Sequence, residues 1–356
     1  MTISIEKIES QDYWNTMVLK SKYTSPTHFF SEADFHYKIT INNEVYLLPI
    51  KQFSLYGAKV ALSYGTRVDG GIVPLNGYNY LEDCLTQVKD FLRLEGYDLL
   101  NLTFKLYYMK DYTNTIAEYL DRIANFSITI YARILPLSKG FEYIWKNKFN
   151  KKARNLVRKF LRSGGKVELL KNPLDYVDDI MEINLSKPLR QGRPLPETYT
   201  RKDLVIQILE KNIRDKREHF RVYGAFIKDK LVAYAYVSEH NGYAYISRFL
   251  THAKYFKYAA SNGLLSSIIE SLCKEGVKVV QYGYWSRHYE GVNHFLQQHG
   301  FEKGEVRAYY IPLTMKGSLV LKMFKTLYKI KESFIGDFFR KYSSIRMLYH
   351  KVVPRI

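Results

Sequence analysis

The stretch VYGAFIKDKLVAYAYVSEHNGYAYISRFL, residues 222–250, carries the pattern that decides the fold. Its three apolar and aromatic runs are separated by Lys228-Asp-Lys230 and His240-Asn-Gly242, which are both typical of hairpin turns. The stretch therefore predicts three successive antiparallel strands. Apolar spacing and turn residues further along predict a helix over 262–275, a strand over 277–282, a short helix over 292–298 and a last strand over 306–313.

The N-terminal half has a similar order of elements. After a short opening helix, residues 37–50 predict two strands that turn at Asn42-Asn43, followed by a helix over 81–95 and a strand over 99–104. Two α/β (α+β) halves of similar order indicate a duplicated fold. We place the boundary at residue 135, which gives an N-terminal domain of residues 1–135, a C-terminal domain of residues 136–315 and a tail of residues 316–356.

Composition excludes several classes of protein. The chain has 356 residues and only two cysteines, Cys84 and Cys273, which rules out a disulfide scaffold and a multi-cysteine metal site. No spacing of His, Cys or Asp suggests metal binding. No apolar run approaches the ~18 residues that a membrane-spanning helix needs, and residues 1–10 lack the apolar core of a secretion signal. We therefore expect a cytoplasmic protein, and peripheral attachment to the inner face of the membrane stays open.

The net charge of +19 is concentrated in two segments. Residues 146–171 contain ten basic residues and one acid, and residues 316–356 contain ten basic residues and two acids. The rest of the chain is nearly neutral. Charge of this density favours a polyanion or phosphate partner.

The two basic segments have different compositions. Residues 141–163 predict one amphipathic helix with Lys152, Arg154, Arg158 and Lys159 on its polar faces, where they would bind phosphates or simply be solvated. Residues 316–356 predict a helical tail with an apolar side that includes Val320, Met323 and Phe324. Such a tail would lie on an anionic membrane surface or pack on the body of the protein, and the sequence leaves both open.

Five motifs carry a resemblance to a known family. The order of the second half and its ending, Gly291 to Phe301, resemble the GNAT acyltransferase fold. Four further motifs resemble the FemAB-like and BioF2-like tandem GNAT transferases: Asp69-Gly-Gly71, the segment 149–165, Arg190 to Pro196, and the run 258–283. The resemblance implies two tandem GNAT-like domains, with catalysis in the C-terminal one.

The resemblance also implies roles for individual residues. The acyl donor's carbonyl would lie near Phe249, Leu250 and Thr251, and its phosphates at Ser261, Asn262 and Gly263, although Ser261-Asn262 also reads as an ordinary helix cap. The resemblance also implies a substrate-binding role for Asp69, through its Asp-Gly-Gly motif. Other candidates come from the clustering and chemistry of their side chains: Tyr282, Tyr284 and His288 for proton transfer, and Arg190, Arg193 and Arg248 for the substrate.

Two departures from the family pattern decide the ranking of functions. Gln281 stands where the family has an acid, and Leu296 stands where aminoacyl-transferring members have Lys. We therefore expect an acyltransferase that uses acyl-CoA as co-substrate, without a bound cofactor, and acts on an amine or hydroxyl of a small molecule. The alternatives are transfer from aminoacyl-tRNA and, in another class, a non-catalytic module that binds RNA or an anionic membrane.

Overall fold

The computed structural model describes residues 2–25, 28–29, 33–63, 71–187, 189–190, 193–285 and 289–332. The strands are β1 (Ile3–Lys7), β2 (Phe35–Ile41), β3 (Glu44–Leu55), β4 (Ala58–Ser63), β5 (Val73–Pro74), β6 (Leu99–Lys105), β7 (Phe126–Pro136), β8 (Gly165–Leu169), β9 (Leu189–Arg190), β10 (Arg193–Pro194), β11 (Phe220–Ile227), β12 (Lys230–His240), β13 (Tyr243–Thr251), β14 (Val279–Tyr284) and β15 (Glu302–Pro312). The α-helices are α1 (Gln11–Lys20), α2 (Leu81–Leu94), α3 (Lys110–Ile123), α4 (Gly140–Tyr143), α5 (Lys151–Arg162), α6 (Val177–Leu185), α7 (Glu197–Thr200), α8 (Lys202–Lys216), α9 (Ala260–Lys274), α10 (Glu290–Gln298) and α11 (Met315–Glu332).

The chain divides into two compact units. The first contains the described residues of 1–14, 32–129 and 306–356, and the second contains those of 15–31 and 130–305. Of the four changes of unit along the chain, one falls between residues 31 and 32 and the others fall within α1, β7 and β15. The domain boundaries at residues 135 and 315 stay predictions, and each unit is described below by its own residues.

In the first unit, strands pair in the order β1, β2, β3, β4, β6 and residues 306–312 of β15. Of these described strands, β4 and β6 pair in parallel. The predicted hairpin at Asn42-Asn43 is confirmed, with Asn42 at φ 52°. The predicted helix over 81–95 is also confirmed as α2, because leucines and Val88 at helical spacing are buried along one side.

In the second unit, the strands pair in the order of residues 130–136 of β7, then β14, β13, β12, β11 and β8. The three-strand meander β11–β13 predicted from residues 222–250 is confirmed, and positive φ angles at Asp229 and Asn241 complete its two turns. One apolar core lies between the sheet and the helices α4, α5 and α9. A second core on the other side includes α6 and α8.

The single helix predicted over residues 141–163 is wrong. The segment forms α4, a π-helical turn over Ile144–Lys148, and then α5. The chain is extended at Phe149 (ψ 128°), whose ring is buried 4.9 Å from the ring of His299. Asn150 restarts the helix, because its Oδ1 accepts a hydrogen bond of 2.8 Å from the Ala153 N–H.

The described part of the tail packs on its own unit. In α11, Val320, Leu321 and Phe324 are buried, and the Phe324 ring lies 5.3 Å from that of Tyr310. Met323, predicted on the apolar side, is instead exposed. The remainder of the tail, residues 333–356, lies outside the described residues. Among the described helices, none combines the length and apolarity needed to cross a membrane.

Candidate active site

Strands β13 and β14 part soon after they pair. Their parallel ladder in the described chain consists of three pairs and ends at Tyr245 opposite Gln281. A bulge then follows in β13, since Tyr236 of β12 lies opposite Arg248 while the next residue lies opposite Ile246. The carboxyl-terminal end of β13 is therefore open along the edge that faced β14, and we call this opening the wedge.

The backbone of β13 presents donors to the wedge. The N–H of His252 donates a hydrogen bond of 2.8 Å to Val232 O in β12. Because successive N–H groups of a strand point to opposite edges, those of Phe249 and Thr251 point to the edge that β14 has left. Leu250 and Thr251 are both buried. The geometry suits stabilisation of a carbonyl oxygen that becomes negatively charged.

Arg248 is a buried cation beside the wedge. Its side chain is 8% exposed, and its guanidinium carbon lies 4.1 Å from the ring centre of Tyr199 and 5.3 Å from that of Tyr236. Arg248 Nη1 and the Tyr236 hydroxyl have no hydrogen-bond partner among the described residues. Burial raises the pKa of Tyr236, and Arg248 opposes that rise. A buried guanidinium without a carboxylate favours an anionic ligand.

A short hydrogen-bond chain holds Tyr199 against Arg248. Tyr234 donates from its hydroxyl to Asn184 Oδ1 at 2.7 Å, and Asn184 Nδ2 donates to Tyr199 O at 2.8 Å. Asn184 is fully buried, so it fixes the position of α7 from within the core. The sequence prediction missed Tyr199, Tyr236 and Asn184. The alternating Tyr234 and Tyr236 in β12 were the available signal, since two buried phenols on one strand face need partners.

Arg190 has a different environment from Arg248. Its Nη2 donates to Ile183 O at 2.8 Å, and its Nη1 donates to Thr251 O at 3.2 Å. Arg190 thus ties the end of α6 to the end of β13. Arg193 lies in β10, and its side chain, like all of Asp69 and His288, falls outside the described residues.

Two predicted proton donors lie on β14. The Tyr282 ring lies 5.7 Å from that of Phe249, and Phe249 lies 6.1 Å from Phe295 of α10. Burial raises the pKa of both Tyr282 and Tyr284. Both phenols are therefore neutral near pH 7 and can act only as proton donors, and burial makes each a weaker acid than an exposed phenol. Gln281 accepts a hydrogen bond from the Tyr243 hydroxyl.

The start of α9 differs from an ordinary side-chain cap. Ala259, at φ 57°, precedes the helix, so Ser261 and Asn262 lie inside the first turn. Ser261 Oγ lies 2.9 Å from Thr251 Oγ1, and Asn262 Oδ1 is buried without a partner among the described residues. A Cβ on Gly263 would lie 2.0 Å from Phe160 Cδ1, which gives this glycine a packing role against α5.

The polar faces of α5 carry several cations without acidic partners. Lys152, Arg158 and Lys159 are exposed, and no ion pair to them occurs among the described residues. Arg154 has a structural role, since its Nη1 donates to the carbonyl oxygens of Trp145, Lys146 and Phe149. The predicted phosphate-binding set therefore has three solvent-facing members and one that closes the preceding helical turn.

Comparison with known proteins agrees with this geometry. The model of the acetyltransferase (GNAT) domain matches residues 147–291. No curated protein matches the chain. The chain superposes on the crystal structure of FemX with a TM-score of 0.59 at 11% identity, covering 85% of this chain and 97% of FemX.

Two further structures share the fold. A Bacteroides thetaiotaomicron VPI-5482 protein of unknown function gives a TM-score of 0.58 at 10% identity, over 87% of this chain and 100% of that one. The C-terminal domain of an Agrobacterium fabrum protein described as a lysylphosphatidylglycerol synthetase gives 0.54 at 13% identity, over 87% and 94%. Residues 147–291 thus match the model of a GNAT acetyltransferase domain, and the predicted GNAT fold is confirmed. The chain as a whole shares its fold with FemX.

Proposed function

We propose that this protein transfers an acyl group from an acyl-CoA thioester to an amine or hydroxyl acceptor in the wedge between β13 and β14. The observation that carries the proposal is the early parting of these strands beside the buried Arg248, whose Nη1 has no hydrogen-bond partner among the described residues. An open strand edge offers oriented N–H groups, and a desolvated cation attracts an anionic substrate. Both features are needed to position a charged acyl donor or acceptor.

The proposed reaction is an ordinary acyl substitution. The acceptor's nitrogen or oxygen attacks the thioester carbonyl carbon. The oxygen of the tetrahedral intermediate accepts a hydrogen bond from one of the two wedge-facing N–H groups, that of Phe249 or that of Thr251. The C–S bond then breaks. The neutral Tyr282 gives its proton to the departing thiolate and recovers one from the acceptor through solvent. The pyrophosphate of CoA would lie at the start of α9, near Ser261 and Asn262.

Transfer from aminoacyl-tRNA is the second candidate. The exposed Lys152, Arg158 and Lys159 of α5, which lack acidic partners in the described part of the chain, favour it. The same cations would serve RNA in a non-catalytic binding module. One experiment separates these alternatives.

That experiment measures ligand-induced stabilisation and transfer together. Thermal unfolding is followed with acetyl-CoA, CoA and aminoacyl-tRNA, and acyl transfer is assayed on a panel of amines. We expect acetyl-CoA at 100 times its Kd to add about 2.7 kcal/mol. R248A should lose transfer at least 100-fold, whereas R221A, which removes an ion pair to Glu275, should keep it. If charged tRNA stabilises the protein, acetyl-CoA does not, and transfer is detected, the second candidate is established. If tRNA binds and no transfer is detected, the protein is a binding module.

We also propose that α11 contacts an anionic membrane surface. Met315, Leu319 and Met323 recur every four residues on α11 and are 91%, 62% and 45% exposed, and the exposed Lys322 lies beside them. An apolar stripe flanked by lysine is typical of an interfacial helix.

Sedimentation with vesicles tests the membrane proposal. We expect binding to vesicles that contain 30% phosphatidylglycerol, and at least tenfold weaker binding for M315S/L319S/M323S. The matched control is L161S, because Leu161 is also exposed but lies on α5. Equal binding of the triple variant and the wild type would contradict the proposal.

A further inference from the structure

Arg133 is a second buried cation in the second unit, and it lies on the β14 side of the wedge. It belongs to β7 and is 5% exposed. Its Nε donates to Asn293 Oδ1 at 2.8 Å, and its Nη1 donates to Tyr282 O at 3.4 Å. Its Nη2 is buried and has no hydrogen-bond partner among the described residues.

The described surroundings of Arg133 are mainly aromatic, with one further cation, the exposed Lys303, whose Nζ lies 5.7 Å from the Trp285 ring centre. Three phenols, those of Tyr245, Tyr282 and Tyr289, are close enough to interact electrostatically with the guanidinium. The Trp285 ring centre lies 5.9 Å from the guanidinium carbon. No carboxylate pairs with Arg133 in the described part of the chain. The guanidinium keeps its charge although burial lowers its pKa, because arginine has the highest pKa of the basic side chains.

The backbone of β14 is shaped around this guanidinium. The β7–β14 ladder is interrupted between Gln281 and Tyr284. Gly283 in that interruption has φ 58°, and a Cβ there would lie 3.3 Å from Arg133 Nη1. Glycine therefore permits both the left-handed backbone and the close approach of the cation. The guanidinium of Arg133 is thus held by Asn293 and by a main-chain carbonyl, and its Nη2 has no hydrogen-bond partner among the described residues.

We propose that Arg133 Nη2 binds a carboxylate group of the substrate. Lys303 is exposed, so Arg133 supplies the buried positive charge beside these phenols. That single buried charge matches a singly charged group, whereas a phosphate dianion would keep an uncompensated charge in a buried site. Phenol hydroxyls can donate to the same carboxylate. The proposal rests on the acyltransferase function, and it defines the substrate class: a molecule with a free carboxylate, bound on the β14 side, while Arg248 serves the β13 side.

Matched pairs of small probes test the site directly. Formate, acetate and benzoate are compared with formamide, acetamide and benzamide, and with inorganic phosphate, by thermal shift and calorimetry. We expect the wild type to bind at least one carboxylate at least tenfold more tightly than its amide. R133Q should remove that preference, R133K should keep part of it because it keeps the charge, and R221Q should leave it unchanged.

Three results would overturn the proposal: no carboxylate preference in the wild type, a preference that survives in R133Q, or an Arg133-dependent preference for phosphate. Binding of acetyl-CoA is measured on the same samples. R133Q that still binds acetyl-CoA shows that the variant is folded. If the wild type binds acetyl-CoA but shows no preference for carboxylates, the carboxylate subsite is refuted while the proposed acyltransferase function is not.

Discussion

At the scale of single residues, the site depends on buried polar atoms that lack a well-formed hydrogen bond within the described part of the chain. The Tyr236 hydroxyl and Arg248 Nη1 both lie in the interior without partners among the described residues. A buried polar group without a hydrogen bond costs about 1–3 kcal/mol. We infer that a ligand recovers this free energy when it binds.

Replacing Tyr236 by Phe tests this inference. We expect Y236F to be at least as stable as the wild type in urea unfolding, because only an unsatisfied hydroxyl is removed, while kcat/KM for acyl transfer falls at least tenfold. The control is Y223F, which loses a 3.2 Å hydrogen bond to Ser271 Oγ and should be destabilised by about 1 kcal/mol. Y236F destabilised as much as Y223F would show that its hydroxyl has a partner within the fold.

Sequence reasoning reached only part of this site. Arg248 was predicted because a guanidinium suits an anionic substrate, and it lies at the wedge. Tyr199 and Arg133 were missed, because their roles depend on partners distant in sequence: Tyr199 contacts Arg248, and Arg133 is held by Asn293. No periodicity in a single sequence encodes such pairings. Asp69 and His288 stay predictions.

At the scale of elements, the packing of α5 on α9 depends on two glycines, Gly165 and Gly263, whose lack of a side chain leaves room for Phe160. The Phe160 ring of α5 fills the space left by two glycines, since a Cβ on Gly165 or Gly263 would lie within 2.4 Å of its atoms. This contact explains why the basic helix has a fixed place on the second unit.

Substituting Gly263 by Ala measures the tightness of that contact. We expect G263A to lower the free energy of unfolding by about 1–3 kcal/mol through overpacking, and F160L to restore part of the loss in the double variant. G291A is the matched control, because its Cβ would meet no atom within 4 Å in α10. Unchanged stability of G263A would mean that Phe160 moves away without cost.

Element prediction succeeded where the signal was local. The meander β11–β13 and the helix α2 follow from alternation, turn residues and helical spacing. The break before α5 could not be predicted, because Phe149 leaves the helix to pack against His299, 150 positions later. The strand β1 was also missed, since its burial pattern is weak and its pairing with β2 fixes it.

At the scale of the whole molecule, stability should depend on two buried histidines. Burial lowers the pKa of His240 to about 4, with His219 adding to the effect, and burial lowers the pKa of His299 to about 4. Unfolded histidine has a pKa near 6.5. Between pH 6.5 and pH 4 the unfolded chain therefore binds more protons, and acid destabilises the fold.

We expect the free energy of unfolding to be highest above pH 6.5 and to fall as the pH drops towards 4. Each histidine contributes a slope of up to about 1.4 kcal/mol per pH unit. Urea unfolding at a series of pH values should show this slope, and H299Q should remove about half of the part due to the two histidines. A slope that H299Q leaves unchanged would contradict a neutral, buried His299 in the folded state.

The position of α11 has a mechanical consequence. Because Val320, Leu321 and Phe324 belong to the core of the first unit, the helix cannot swing away from that unit without exposing them. An interaction with lipid through Met315, Leu319 and Met323 would therefore attach the first unit rigidly to the membrane, and not through a flexible linker. Membrane attachment would then set the orientation of the first unit relative to the lipid plane. The fluorescence anisotropy of a label on that unit would rise on vesicle binding, because the unit would tumble together with the vesicle.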